Sequence, residues 1–279
     1  MLSTFVARLS RVRFTVGYVA ALFAVSTTML MLSPQAHDRV IRYASTNLHN
    51  LSHGRLGTLI GSAFVVEAGP LWFWLPFLTC LLVLAELHLH TIRLLVAFLV
   101  GHVGATLVMA GALAMAVKMG WMPWSITHAS DVGMSYGALA ALGALTATIP
   151  RPWRSAWIGW WISVSVAAAI IDGEFTNAGH AVAVTLGVLV SLRFRAPIHW
   201  TPARFVMLVG SAGFGFLMLA HSMWAMAGGI VFGLSGAMAA HVFTAWLGPR
   251  AAGDAAVAGV SEFQNMTDQQ TRIQFGSKG

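Results

Sequence analysis

Charge is what this sequence has least of. Only 9 % of its 279 residues are Asp, Glu, Lys or Arg, where a soluble domain carries about a quarter. That shortage excludes an ordinary water-exposed globular surface. Cysteine is nearly absent as well: Cys80 stands alone inside an apolar run. No disulfide framework can form within the chain, and no thiolate metal site is suggested. Strict polar–apolar alternation is missing too, which argues against a membrane β-barrel. No soluble second domain, repeat array or low-complexity segment interrupts the pattern.

Apolar runs are what the chain has instead. Hydrophobic residues make up 57 % of it, gathered in stretches of about 18 residues or more, the length that crosses a bilayer. The fold class expected is an all-α polytopic membrane protein, and the lipid bilayer is its first partner. Eight segments can be drawn: 14–33, 70–88, 92–117, 133–149, 154–171, 176–192, 204–222 and 225–247. The last two are too long for one span and divide near His221-Ser222-Met223-Trp224. The stretch Phe14 to Leu32 follows a basic start but lacks a small-x-small cleavage site. It reads as a first membrane helix rather than a signal peptide. Residues 250–279, with Asn265, Gln269 and Gln270, read as a flexible cytoplasmic tail.

Bases outnumber acids, 16 to 9. In a membrane protein that excess collects at cytoplasmic loops, so no nucleic-acid partner is implied. With the N-terminus inside, the inner loops hold Arg8, Arg11, Arg13, Arg93, Arg151, Arg154, Arg193, Arg195, Arg204 and Arg250. The outer loops hold only Arg39, Arg42, Arg55 and Lys118. The expected topology is therefore N-in and C-in, in the plasma (inner) membrane. Segment 34–69 is polar before a short apolar stretch, Leu56 to Val66, and is expected to be a long, partly helical outer loop lying in the interface. Counting it as a span would reverse every later helix and break the arginine pattern. Trp72, Trp74, Trp121, Trp124, Trp153, Trp157, Trp160 and Trp161 fall near predicted helix ends, as interfacial anchors do.

Two polar sites stand out against this background. Asp131-Val132-Gly133-Met134-Ser135-Tyr136-Gly137 opens the fourth segment, and Thr176-Asn177-Ala178-Gly179-His180 opens the sixth. In this topology both helices run inward, so Ser135 and His180 share a depth near the outer face. A serine becomes a nucleophile when a neutral histidine within hydrogen-bond reach takes its proton. The two helices also carry the small residues that let membrane helices pack closely: Gly133, Gly137, Ala138, Ala140, Ala141 and Gly143 on one, Ala178, Gly179, Ala181, Ala183 and Gly187 on the other.

Together these features resemble the rhomboid family of intramembrane serine proteases, over roughly residues 14–195. Gly133-Met134-Ser135 stands where the family has Gly-x-Ser-Gly at the start of its fourth helix. Gly179-His180 through Gly187 is similar to the family's Ala-His-x-x-Gly-x-x-x-Gly. Glu86 and Arg93 match its Glu-x-x-x-Gly-x-x-Arg at the inner turn between helices two and three. The resemblance implies a six-helix rhomboid-like core over 1–195, with outer loop 34–69, and two added transmembrane helices over 196–249. It implies Ser135 as nucleophile and His180 as base, without metal or organic cofactor. The implied partner is a membrane-protein substrate cut near the outer face. A catalytically inactive relative that binds client helices through the same groove is the second reading. A transporter is the third, for which mid-helix His102 is the hint.

The chain departs from the family at defined places. Tyr136 replaces the glycine after the serine and would crowd or cover it. Ala183 replaces the glycine three residues after His180. The family's His-x-x-x-Asn of helix two, which binds the oxyanion, has no counterpart in Pro70-Leu71-Trp72-Phe73-Trp74-Leu75-Pro76. Asn177 is the candidate replacement, with backbone N–H groups near Ser135. His49, Asn50 and His53 are loop groups that could reach in. His37, His49 and His53 share that loop, but their spacing matches no metal-ligand set. Glu86 and Arg93 are expected to pair across the inner turn. Asp131, Asp172 and Glu174 are expected to cap helices or meet solvent, with Asp131 a conceivable third member beside His180. Gly233-Leu234-Ser235-Gly236 is the better local match to Gly-x-Ser-Gly. It falls in mid-helix, and His241 lies off its face, so a packing stripe is expected.

Overall fold

The computed structural model describes residues 9–66, 71–194 and 200–247. The tail 250–279, residues 67–69, Pro70, Arg8, Arg195 and Arg250 lie outside the described residues. Every described element is helical: α1 (Arg13–Leu30), α2 (Pro34–Ala44), α3 (Leu48–Ser52), α4 (Thr58–Gly61), α5 (Leu71–Leu89), α6 (Thr91–Lys118), α7 (Ser135–Ala144), α8 (Arg151–Asp172), α9 (Phe175–Ser191), α10 (Pro202–Leu219) and α11 (Met223–Leu247). Five helices are long and apolar enough to cross a membrane: Ser10–Leu30, α6, α8, α10 and α11. The apolar parts of α5 and α9 are shorter. The protein is an integral, polytopic helical membrane protein.

The central helix is α7. Its residues from Tyr136 to Ala144 are all buried, enclosed by α5, α6, α9 and α10. Only small side chains permit this. A Cβ on Gly143 would lie 2.5 Å from the Val184 carbonyl oxygen of α9. One on Gly187 would collide with the Ala140 carbonyl oxygen, and one on Gly101 with the Ala140 methyl. Backbones in near contact gain dispersion and leave no void, which is how helices associate where lipid removes the hydrophobic drive.

α7 is also short. Its ten residues span about 15 Å at about 1.5 Å each. The 3₁₀ turn Leu145–Thr148 adds about 8 Å. The sum falls short of a hydrocarbon layer of about 30 Å, so the chain must enter the bundle before the helix begins. Segment 130–134 makes that entry, and its backbone needs partners there. The segment before α5 supplies them. Thr46 N–H donates to the Asp131 carbonyl (3.0 Å), and Gly133 N–H donates to the Ser62 carbonyl (2.9 Å). Asp131 N–H donates to Ser45 Oγ (2.8 Å). Gly133 adopts φ +139°, a backbone closed to most side chains.

The stretch 34–66 is helical in part, as its sequence suggested. Ser33 and Pro34 start α2, and Ile41 packs with Met29 and Val65. Asn50 is buried with its amide donating to the Arg42 and Ser45 carbonyls, both at 2.8 Å. It is a fastener of this segment and not a group reaching toward Ser135.

At the opposite end of the bundle, Glu86 is 1 % exposed. It accepts from Phe14 N–H (3.0 Å), Thr15 N–H (2.8 Å), Thr15 Oγ1 (2.7 Å) and Thr91 Oγ1 (2.7 Å). The first N–H groups of a helix have no acceptor of their own, and those of α1 take this carboxylate. The expected Glu86–Arg93 pair is not formed among the described residues; the Arg93 guanidinium lies 5.9 Å from the Phe194 ring centre. The final two helices divide where expected, with α10 ending at Leu219 and α11 starting at Met223.

Candidate functional site around Ser135 and His180

Segment 130–134 delivers Ser135 to the first position of α7. There it is half-buried and lines a cavity of about 650 Å³. His180, on the second turn of α9, lines the same cavity, as do His102, Asp131, Tyr136, Glu174 and His221. The predicted pair is therefore brought to one space. Ser135 and His180 are not hydrogen-bonded to each other. Neither ring nitrogen of His180 has a hydrogen-bond partner among the described residues, although the residue is buried.

Tyr136 does not lie open over Ser135. One residue along a helix turns a side chain by about 100°, and its ring goes into the core, 3 % exposed. It meets the His180 ring edge-on at 5.5 Å, 81° between planes. Its hydroxyl sits where any side chain on Gly179 would collide. The position expected to crowd Ser135 thus packs against His180. Gly179 makes room for it, which explains a small residue beside the histidine.

His102 is the residue whose place the sequence did not reveal. It is 2 % exposed on α6, its ring 6.4 Å from that of Tyr136. Ser62 Oγ lies 3.1 Å from its Nε2, and Thr46 Oγ1 lies 2.9 Å from Ser62 Oγ. Three rings, His102, Tyr136 and His180, follow one another across the bundle, with His221 6.2 Å beyond. His102 Nδ1, the Tyr136 hydroxyl and both His180 nitrogens are buried without partners among the described residues. Each such group costs about 1–3 kcal/mol. A signal for His102 existed in the sequence: a histidine in mid-span must face the interior. Nothing in the sequence paired it with Ser135.

The other candidates are distributed differently. Asn177 is buried, but its amide donates to Asp172 Oδ2 (3.1 Å), and it is not among the cavity's lining residues. Asp172 also accepts from Ser222 Oγ (2.5 Å), tying the start of α11 to α8 and α9. The His49 ring lies 4.3 Å from that of His53 and stacks on that of His128 at 4.4 Å, apart from the cavity, so neither His49 nor His53 is an oxyanion group in this arrangement. Burial and the neighbouring His53, His128 and Arg55 lower the His49 pKa. Asp131 is at the cavity wall, and burial lifts its carboxyl to about 6. Gly137 faces the Phe98 ring with no room for a side chain. No cluster among the described residues has the form of a metal site.

Helix α10 reaches the site. Leu217 and Met218 of α10, with His221 after it, line the cavity. Gly215 of α10 packs on Leu142 and Trp161. The second Gly-x-Ser-Gly behaves as expected of a packing stripe. Gly233 meets Val164 and Trp160 of α8, Gly236 meets Ser163 and Gly159, and Ser235 Oγ donates to its own helix at Val231 (2.8 Å).

A comparison with curated proteins finds no match, and neither does one with solved structures. A family model does match. The model described as rhomboid-like protein covers residues 10–196, which is the span from the first helix through the one bearing His180. With more than half of its length matched, the chain belongs to the rhomboid-like protein family.

Proposed function

We propose that this protein is an intramembrane serine endopeptidase that cleaves other membrane proteins, with Ser135 as nucleophile and His180 as general base. The observation that carries the reading is the shared cavity: Ser135 and His180 both line it, and among the described residues no group takes the ring nitrogens of His180. A loose contact between nucleophile and base is common before substrate binds.

Ser135 attacks the scissile carbonyl, and His180 takes its proton and returns it to the leaving amine. The N–H groups of Ser135, Tyr136 and Gly137 open a helix, so they lack acceptors in their own helix. They are donors for the oxyanion. Thr46 Oγ1 donates its proton to the Thr58 carbonyl (2.7 Å), so Ser62 Oγ donates to Thr46 and accepts from His102 Nε2–H. That chain holds the imidazole proton on Nε2 and leaves Nδ1 an acceptor, so His102 is a positioning residue beside Tyr136 and the backbone N–H groups are the oxyanion donors. A preorganised donor of this kind is worth about 3–4 kcal/mol in the transition state. Glu174, Thr176 and Asp131 at the cavity wall admit water at that end. The arginine distribution supports N-in, C-in topology, which puts the cavity toward the outer face.

A non-catalytic role in binding client helices is favoured by one observation, the absent Ser135–His180 hydrogen bond. A transport reading has less support, because the Phe98 ring stacks beside His102 and packs in turn on Tyr18 and Phe14, an apolar neighbourhood. The test is a fluorophosphonate probe on purified protein in detergent. Labelling of the wild type that is lost in Ser135→Ala supports the protease. A folded wild type that never labels favours client binding.

A further inference from the structure

At the end of the bundle opposite Ser135 lies a concavity of about 670 Å³. Arg11, Arg13, Arg93 and Arg204 line it together with His90. They come from three places far apart in sequence: the start of α1, the turn into α6, and the start of α10. One acid, Glu86, is at its wall, and both of its oxygens are engaged by Thr15, Thr91 and the N–H groups of α1. Four guanidinium groups therefore line one hollow, in which Glu86 is the acid among the described lining residues. Topology alone calls for arginines somewhere in inner loops. It does not call for four of them to converge on one concave surface.

The backbone adds an independent observation. His90 holds φ +67° and is the only described non-glycine residue at positive φ. Glycine would take that conformation without strain, and strain of this kind persists where a side chain is needed. The imidazole held there is exposed at the wall of the arginine hollow. Three helices also begin around the hollow, and helix starts favour negative charge.

We propose that this hollow is a binding site for a phosphate-class anion, supplied by the headgroup of an anionic phospholipid. Arginine matches phosphate oxygens with paired N–H donors. The hollow lies at a bundle end where headgroups lie, and basic pockets between membrane helices bind such headgroups. Arg11 and Arg13 are exposed and meet the ligand first. A zwitterionic headgroup brings a cation toward four guanidinium groups and binds less well.

The test uses the full chain in neutral detergent, read by native mass spectrometry and by thermal midpoint. Phosphatidylglycerol should form a one-to-one adduct at least tenfold tighter than phosphatidylcholine and raise the midpoint. The double variant Arg11→Gln, Arg13→Gln, altered only at exposed positions, should fold normally and lose at least tenfold in that affinity. His90→Gly should keep or raise the lipid-free midpoint while weakening the phosphatidylglycerol adduct several-fold. Inorganic phosphate at millimolar concentration should not displace the lipid. Full displacement by phosphate would overturn the lipid source in favour of a soluble one. Equal phosphatidylglycerol binding by the wild type and the arginine double variant would overturn the site itself. Undiminished binding by His90→Gly would overturn the account of the strained turn.

Discussion

Two segments of this chain pair glycine with serine, Gly133-Met134-Ser135-Tyr136-Gly137 and Gly233-Leu234-Ser235-Gly236, and they have opposite fates. As a string the second is the closer match to Gly-x-Ser-Gly. In space it is one stripe of a lipid-facing helix, its glycines seated on α8 and its serine bonded to its own backbone. The first begins a helix too short to span, at the end of a segment threaded into the bundle. That position leaves Ser135 half-buried at a cavity and leaves the first N–H groups of α7 without acceptors in their helix. Chemistry attaches to the position in the bundle, because a mid-helix serine spends its proton on a carbonyl one turn back.

The contrast can be broken most directly by removing each serine. Ser135→Ala should abolish fluorophosphonate labelling, a loss of about a thousandfold or more; Ser235→Ala should label like the wild type. Labelling that follows Ser235 would reverse the assignment. His180→Ala should slow labelling by about 10²–10⁴-fold, and a rate near wild type would remove it as the base. His102→Ala tests the third ring. With its Nε2–H held by Ser62, His102 acts through its packing beside Tyr136, and turnover on a single-span substrate in proteoliposomes should fall by less than for His180→Ala. A loss as large as that of His180→Ala would make His102 part of the proton-transfer machinery.

Packing around the two segments gives the next contrast. Gly187→Ala drives a methyl into the Ala140 backbone and should lower unfolding stability in detergent by about 3 kcal/mol. Gly111→Ala, on a part of α6 where a Cβ meets nothing within 4 Å, should leave stability unchanged or raise it by about 0.5–1 kcal/mol. Equal effects would contradict the close approach of α7 and α9.

The smallest effect concerns Asp131. Its folded pKa, about 6, lies above the ordinary 3.8, so burial penalises folding only where the carboxyl is ionised. The penalty is absent below about pH 4, grows toward pH 6 and is complete above it. Asp131→Asn should match the wild-type unfolding stability at pH 4 and exceed it at pH 7, by an amount on the order of 1–3 kcal/mol. A constant offset across that range would place the shift elsewhere.

Much of the helical plan was legible in the residues. Apolar runs mark α1, α5, α6, α8, α9 and α10, because a bilayer demands length and hydrophobicity in one local stretch. The break at His221-Ser222 was readable for the same reason. The shortness of α7 was not, since its apolar run continues through the 3₁₀ turn after Ala144 and only hydrogen bonding distinguishes the two. Glu86 misled toward Arg93 because charge complementarity is visible in a string, whereas the N–H groups of a distant helix start are not. Asn177 misled in the same way, since its amide is taken by Asp172, five residues earlier.

By itself the sequence determined the class of molecule, the position of most membrane helices and the identity of the Ser135 and His180 candidates. Those follow from local composition and from residue types with few alternative uses inside a bilayer. Only the tertiary structure decided that the Tyr136 ring turns into the core against His180. Only it brought His102 to the same cavity through Ser62 and Thr46, and gathered four arginines from three helix starts around one hollow. Each of these depends on distances between segments far apart in the chain, which side-chain packing sets and no local pattern records.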